Sequence, residues 1–292
     1  MKLSLSEESV CGKNEVIAES LEQMQEYLRK RFNPDGSQLR NQQLLMLDML
    51  IWFDKLCREH DIRYWLSSGT LLGAVRHGGY IPWDDDVDID MMREDYDKLL
   101  AVMRTLNDDT YELQDAETDS GYFFSYGKLR HKHSYLEETN RYDRIFDMRG
   151  IYIDLLTFER MPRCFNRIAC MSVGHSYKIL NTPGIADADA AKRVHRIRTF
   201  NRTFLFPVLR FFARLVPSKW VHRSPGIPYK SRTTYDEIFP VSTVLFEGHP
   251  FPAPRDTHSY LTRMFGDYMK LPDLDNIHLH TLKITMTDNN DR

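Results

Sequence analysis

The segment Trp83-Asp84-Asp85-Asp86-Val87-Asp88-Ile89-Asp90 carries five carboxylates in seven residues. Neighbouring carboxylates raise one another's pKa unless a cation offsets the repulsion, so this run calls for a positive partner. On an extended chain Asp86, Asp88 and Asp90 project to one side while Val87 and Ile89 face a core. Residues two apart on a strand lie roughly 6.5–7 Å from each other. From that separation two carboxylates converge on one or two hard cations such as Mg²⁺ or Mn²⁺. A solvated acidic loop has no use for the alternating Val and Ile. An EF-hand would need a turn glycine at position six and a glutamate at position twelve, which this run lacks. Asp86 and Asp88 are therefore the candidate metal pair. Asp154, the lone acid within Ile151-Tyr152-Ile153-Asp154-Leu155-Leu156, is the candidate third ligand or proton acceptor, because a buried aspartate without a partner is costly.

Some sixteen residues before the paired acids, Ser67-Ser68-Gly69-Thr70 ends a short apolar run and opens a helix-like stretch. Ser68, Gly69 and Thr70 fit a phosphate-binding turn. The glycine lets an anion approach the backbone, and a helix N-terminus offers free N–H donors. Arg76, His77, Lys128 and Arg130 follow nearby elements and are candidates to neutralise phosphate charge.

Helix and strand patterns alternate around these residues through residue 160. A polar helix is expected from Glu15 to Arg31, stopped by Asn33-Pro34-Asp35-Gly36, and a second from Gln38 to His60, with Leu44, Leu47, Leu50, Ile51 and Leu56 at helical spacing. Strands are expected at Ile62–Leu66, Asp86–Met91, Tyr122–Leu129 and Gly150–Leu156, with helices at Leu71–Arg76 and Glu94–Leu106. Beyond Arg160 the pattern weakens until Phe246–Pro272, where strand, turn and helix signals resume.

The stretch YWLSSGTLLGAVRHGGYIPWDDDVDIDM, Tyr64 to Met91, resembles the LicD family, which is related to the fukutin-related sugar-phosphate transferases. YGKLR at Tyr126–Arg130, GIYIDLL at Gly150–Leu156, FEGHPFPAP and YLTRMFGDYMKLP are similar to further family blocks, so the resemblance spans roughly residues 44–272. It implies an α/β (α+β) fold: a nucleotidyltransferase-type mixed β-sheet flanked by helices, with helical additions. It also implies transfer of a phospho-alcohol, typically phosphocholine from CDP-choline, to a hydroxyl of a cell-surface glycan such as a lipopolysaccharide precursor. Carried over by position, Gly69 and Thr70 match the phosphate turn, Asp86 and Asp88 the metal pair, and Asp154 the third acid. Ser68 stands where many members have glycine. The competing readings are nucleotide transfer from a nucleoside triphosphate with release of pyrophosphate, and a catalytically silent module that binds nucleotide or glycan.

The 292 residues, 42% of them hydrophobic, suffice for one catalytic unit with additions. The expected division is an accessory helix in residues 1–36, a catalytic domain in 37–275 with a basic, aromatic insertion at about 161–242, and a tail in 276–292. A net charge of −3 gives no reason to expect nucleic acid as a partner. The charge is uneven, however: from Ala190 to Tyr235 there is no acid, and eleven Lys and Arg fall between 192 and 232. Around Val208–Val216, Phe211, Phe212 and Leu215 share a helical face with Arg210 and Arg214 on another, as in a helix lying on a membrane that carries a lipid-linked oligosaccharide acceptor, or equally in a buried helix whose arginines contact a substrate or the protein's own acids. No export signal and no membrane-spanning run are read, and Cys11, Cys57, Cys164 and Cys170 have no zinc or redox spacing. A cytoplasmic enzyme, peripheral at the inner membrane face, is expected.

Overall fold

The computed structural model describes residues 23–139, 142–216, 219–227, 232–277 and 281–286. The elements run α1 (described over 23–32), α2 Gln38–Glu59, β1 Trp65–Leu66, α3 Ser68–His77, β2 Asp88–Met92, α4 Arg93–Thr105, β3 Tyr111–Gln114, β4 Gly127–His131, β5 Ser134–Glu138 and β6 Tyr152–Glu159. Three helices follow, α5 Arg163–Leu180, α6 Asp187–Phe200 and α7 Phe206–Ala213, the last two joined through a wide π turn at Asn201–Leu205. Then come β7 Trp220–Arg223, β8 Arg232–Thr234, α8 Tyr235–Ile238, the hairpin β9 Ser242–Phe246 and β10 His249–Ala253, α9 Thr257–Phe265, and β11 Thr281–Met286.

A mixed seven-stranded sheet organises the molecule, in the order β1-β2-β6-β4-β3, with β7 and β8 extending from the far end of β6. β2 and β6 are parallel, and β1, β4 and β7 run antiparallel to their neighbours. One face is apolar: Leu66, Ile89, Met91, Leu129, Ile153 and Leu155 pack with α2, α3 and α4. The period of two then forces Asp88, Asp90, Lys128, Arg130 and Asp154 onto the opposite face. Helix α2 starts at Ser37, whose hydroxyl accepts from the Arg40 amide at 3.1 Å, an N-cap that satisfies one otherwise free donor.

The expected mixed α/β architecture is present, with local differences. On α2, Leu47, Leu50 and Leu56 are buried, but Leu44 and Ile51 are exposed, because Met46, Met49 and Phe53 fill the core instead. The strand expected over Tyr122–Leu129 begins only at Gly127, since Tyr122 and Phe123 gather with Phe146 in an aromatic cluster of their own. The region with no legible pattern holds α5 to α7, and its end returns to the sheet as β7 and β8. Within the expected tail, residues 281–286 form β11, paired antiparallel with β5. The first part of the expected N-terminal helix, and Cys11, lie outside the described residues. Cys57, Cys164 and Cys170 are free thiols.

Candidate active site

The serine turn and the acidic strand are built as one unit. The Ser67 amide donates to the Asp88 carbonyl at 3.1 Å, and the Asp88 amide donates to the Thr70 hydroxyl at 2.9 Å. Both backbone groups of Asp88 are thus fixed by the turn that opens α3. Ser68 has φ +47°, a left-handed conformation uncommon for a residue with a side chain, and its hydroxyl lies 3.2 Å from that of Ser67. At Gly69 a Cβ would stand 2.6 Å from an oxygen of Asp84. The close approach expected of an anion at this glycine is therefore made by the chain's own carboxylate.

Register brings the distant acid in. On parallel neighbours β2 and β6, Asp88 stands directly opposite Asp154, and across β6 Asp154 stands opposite Lys128. The Lys128 ammonium bonds Asp154 Oδ1 at 2.5 Å and sits 3.2 Å from the centre of the Tyr152 ring. Burial raises the Asp154 carboxyl above its ordinary range while Lys128 pulls it down. Burial likewise lowers the Lys128 ammonium, opposed by Asp154. Asp88 is pushed up to about 7 by burial and then by Asp154, with Arg223 and the Ser68 hydroxyl acting against them. Asp86 is raised well above the usual carboxylate range, first by burial and then by Asp84, Asp88 and Asp154. Burial is thus the leading cause at all three carboxylates, with repulsion from neighbouring acids added to it.

The donors of the acidic strand are carboxylate oxygens, the ligand type a hard dication takes. Mg²⁺ is commonly held by one or two carboxylates plus substrate phosphate oxygens rather than by an all-protein cage. Among the described residues no group of three or more His, Cys, Asp and Glu side chains is placed to hold a metal ion, so Asp86, Asp88 and Asp154 do not form a three-acid site by themselves.

Arg223, one of many cations in a basic stretch, was not singled out from sequence. It is buried on β7, 2.8 Å from Asp90 Oδ1, and its Nη2 donates to both Ser67 and Ser68 hydroxyls at 3.2 Å. The Tyr260 hydroxyl donates to Asp90 Oδ2 at 2.5 Å. Asp90 is thereby committed to holding β7 and α9 onto the acidic strand, so of the alternating trio Asp86 and Asp88 remain for other chemistry. Arg130 shares the face of Lys128, but its guanidinium donates to Gln114 at 2.7 Å and to the Gly150 carbonyl at 2.6 Å, clamping neighbouring segments. Arg76 and His77 point elsewhere. Arg76 donates to the Tyr268 carbonyl at 2.8 Å and to His77 Nε2 at 2.9 Å, and His77 Nδ1 meets Gln25 at 2.6 Å.

Beside Lys128, with Phe124 and Tyr126 stacked 5.2 Å apart on its wall, opens a cleft of about 140 Å³ that also takes in Tyr96, Arg198, Arg202 and Arg210. The Lys128 ammonium lies 5.9 and 5.8 Å from the Phe124 and Tyr126 ring centres.

A mixed sheet that sets paired strand acids beside a serine-glycine turn at a helix start defines a protein of the nucleotidyltransferase-fold class. Residues 61–210 match the family described as LicD/FKTN/FKRP, nucleotidyltransferase domain, and the chain belongs to this family. The lipopolysaccharide cholinephosphotransferase LicD of Haemophilus influenzae is 26% identical over 272 residues, covering 80% of this chain and 92% of that protein. The human ribitol 5-phosphate transferase FKRP is 62% identical over 34 residues, 12% of this chain and 7% of its own length. An uncharacterised Rickettsia prowazekii protein is 46% identical over 74 residues, 25% of this chain and 26% of that one.

Proposed function

We propose that this chain is a transferase that moves a phospho-alcohol, phosphocholine from CDP-choline, onto a hydroxyl of a cell-surface glycan or lipopolysaccharide precursor and releases CMP. The observation that carries the reading is the register pairing of Asp88 with Asp154, and of Asp154 with Lys128, beside the Ser68 turn. The two named transferases among the relatives support the phospho-alcohol chemistry.

Asp86 and Asp88 would hold Mg²⁺ or Mn²⁺, which when bound neutralises diphosphate charge and polarises the phosphorus under attack. Ser68, Gly69 and Thr70 would meet the donor's phosphates at the start of α3 once the Asp84 carboxylate gives up its place at Gly69. Asp154 accepts the proton of the attacking hydroxyl, with the Lys128 ammonium holding its carboxylate in place and favouring its charged form before the transfer. The aromatic lining of the cleft beside Lys128, with its arginine–carboxylate pairs, suits the ring and hydroxyls of a sugar. We place the reaction in the cytoplasm, where CDP-activated donors meet a glycan or lipid-linked acceptor. No helix of the described residues is long and apolar enough to cross a membrane.

The test is CMP release from CDP-choline by the purified chain, with and without Mg²⁺ or Mn²⁺, alongside Asp86→Ala. The expected result is metal-dependent release that falls by about a hundredfold or more in the variant, the scale for losing one preorganised electrostatic contact. Pyrophosphate released from a nucleoside triphosphate would show nucleotide transfer instead. Saturable, metal-independent binding without turnover of any activated donor would remove catalysis altogether.

A further inference from the structure

Helices α6 and α7, continuous through the π turn, form a rod whose inner side is buried through Ala190, Val194, Phe206, Leu209 and Ala213. Its outer side is not what water selects. Phe200, Phe204, Phe211 and, just past α7, Leu215 are 51%, 59%, 60% and 66% exposed. Their spacings of four, seven and four residues return to one helical stripe, and the Phe200 and Phe204 rings lie 5.6 Å apart. Contiguous exposed apolar surface of this kind on a folded domain marks a place of contact.

The same stripe continues toward the start of α6 as Arg196 and Arg193, four and seven residues before Phe200. Both are exposed, and among the described residues neither they nor Arg214, beside Leu215, make an ion pair. The contrast with the cations facing inward is informative: Arg202 is paired with Glu117, and Arg210 with Glu159 at 2.9 Å. The cleft-side guanidiniums are paired with carboxylates of the protein, whereas the outer ones share a face with phenylalanines, and beyond Asp187 and Asp189 in the first turn of α6 no acid follows until Asp236.

We propose that this face is a docking surface for an anionic lipid bilayer. The rod lies in the interface plane, with Phe200, Phe204, Phe211 and Leu215 entering the head-group and acyl boundary and Arg193, Arg196 and Arg214 meeting lipid phosphates. Charge complementarity selects this occupant. The whole chain carries −3, whereas this face gathers three exposed arginines with no ion pair among the described residues, so an anionic surface attracts it and the attraction orients the protein as it lands. The inference stands whether or not CDP-choline is the donor, because none of these residues belongs to the catalytic machinery.

The experiment is co-sedimentation of the full chain with vesicles of phosphatidylcholine alone or of phosphatidylcholine containing phosphatidylglycerol. It compares wild type with Phe204→Ser/Phe211→Ser and with Arg193→Gln/Arg196→Gln. Binding is expected only to the phosphatidylglycerol vesicles and should weaken as salt rises. At about 1 kcal/mol for each basic residue at such a surface, removing two lowers the partition coefficient by roughly 30-fold. The phenylalanine pair should lower it at least as much, with unchanged CMP release from CDP-choline and unchanged thermal midpoints. Wild-type protein that ignores phosphatidylglycerol, or variants that partition like wild type, would overturn the proposal. So would capture of the face by a second copy of the chain, read as a dimer that the Phe204→Ser/Phe211→Ser variant dissolves.

Discussion

Replacing Arg223 with Met should destabilise the protein more than any other single change at a charged residue. The guanidinium is buried 2.8 Å from Asp90, itself fully buried, and also donates to Ser67 and Ser68. Methionine keeps much of the volume but leaves the Asp90 carboxylate with the Tyr260 hydroxyl and no counter-charge. Breaking one side of a buried ion pair typically costs about 3–5 kcal/mol, because the surviving charge stays desolvated. For a domain of this size each kcal/mol lowers Tm by about 2–4 °C, so the midpoint should fall by roughly 6–20 °C. Differential scanning calorimetry on wild type, Arg223→Met, Asp90→Asn and the double variant closes the cycle. Asparagine still accepts from Tyr260, so the double variant should recover more than half of the Arg223→Met loss, with a coupling of at least about 1.5 kcal/mol. A single-variant loss below about 1 kcal/mol, or strictly additive losses, would show that Arg223 and Asp90 do not depend on each other, and that the serine turn is held by something else.

Two further outcomes follow from packing and from protonation. Gly73→Ala puts a Cβ 2.4 Å from the Gly79 carbonyl oxygen and should cost about 1–3 kcal/mol in urea unfolding. Gly174→Ala on α5, with nothing within 4 Å, should instead gain about 0.5–1 kcal/mol, and equal effects at the two sites would refute the steric reading. His77 is lowered to about 4, chiefly by burial and then by Arg76, and its Nε2 already accepts from Arg76. The fold therefore binds only the neutral ring, and its contribution is complete above pH 6.5 and lost as pH falls from there toward 4. After allowing for partial exposure the loss is about 2 kcal/mol. His77→Gln should flatten the stability profile between pH 7 and 4.5, and an unchanged slope would count against the assignment.

The acidic strand and the serine turn were legible because their signals are local: Val87 and Ile89 alternate with acids, and small residues precede a helix. The partnership of Asp154 with Lys128 was less so. Each was a candidate by itself, but only the pairing of β4 with β6 shows that one neutralises the other, and register between distant strands leaves no short-range mark. Arg223 was hidden for a related reason. Among eleven cations nothing in residue type distinguishes Arg223, and the run Trp220-Val221-His222-Arg223 shows no period of two to mark it as a strand. Arg76 and His77 were placed near phosphate by their position after the turn. The helix carries them to its far end, Arg76 to the carbonyls of Tyr268 and Lys270 and His77 to Gln25. The aromatic run Tyr122-Phe123-Phe124 has strand-like composition, yet Gly121 presses against the Ile145 carbonyl and the rings turn inward to one another.

The Thr281 amide donates to Asp85 Oδ2 at 2.6 Å across 196 residues of sequence, and Gln42 joins the Asp85 carbonyl at 2.7 Å and the Thr281 hydroxyl at 3.2 Å. During synthesis at about 5–20 residues per second, the acidic loop leaves the ribosome roughly 10–40 s before the residue that fastens it. In that interval the chain can assemble its sheet with the acidic loop tied to α2 through Gln42 and Gln43 but not yet to β11. The last tie thus arrives late in translation, after the scaffold, and a ribosome stalled before residue 281 would display a folded sheet whose acidic loop lacks the Thr281 bond.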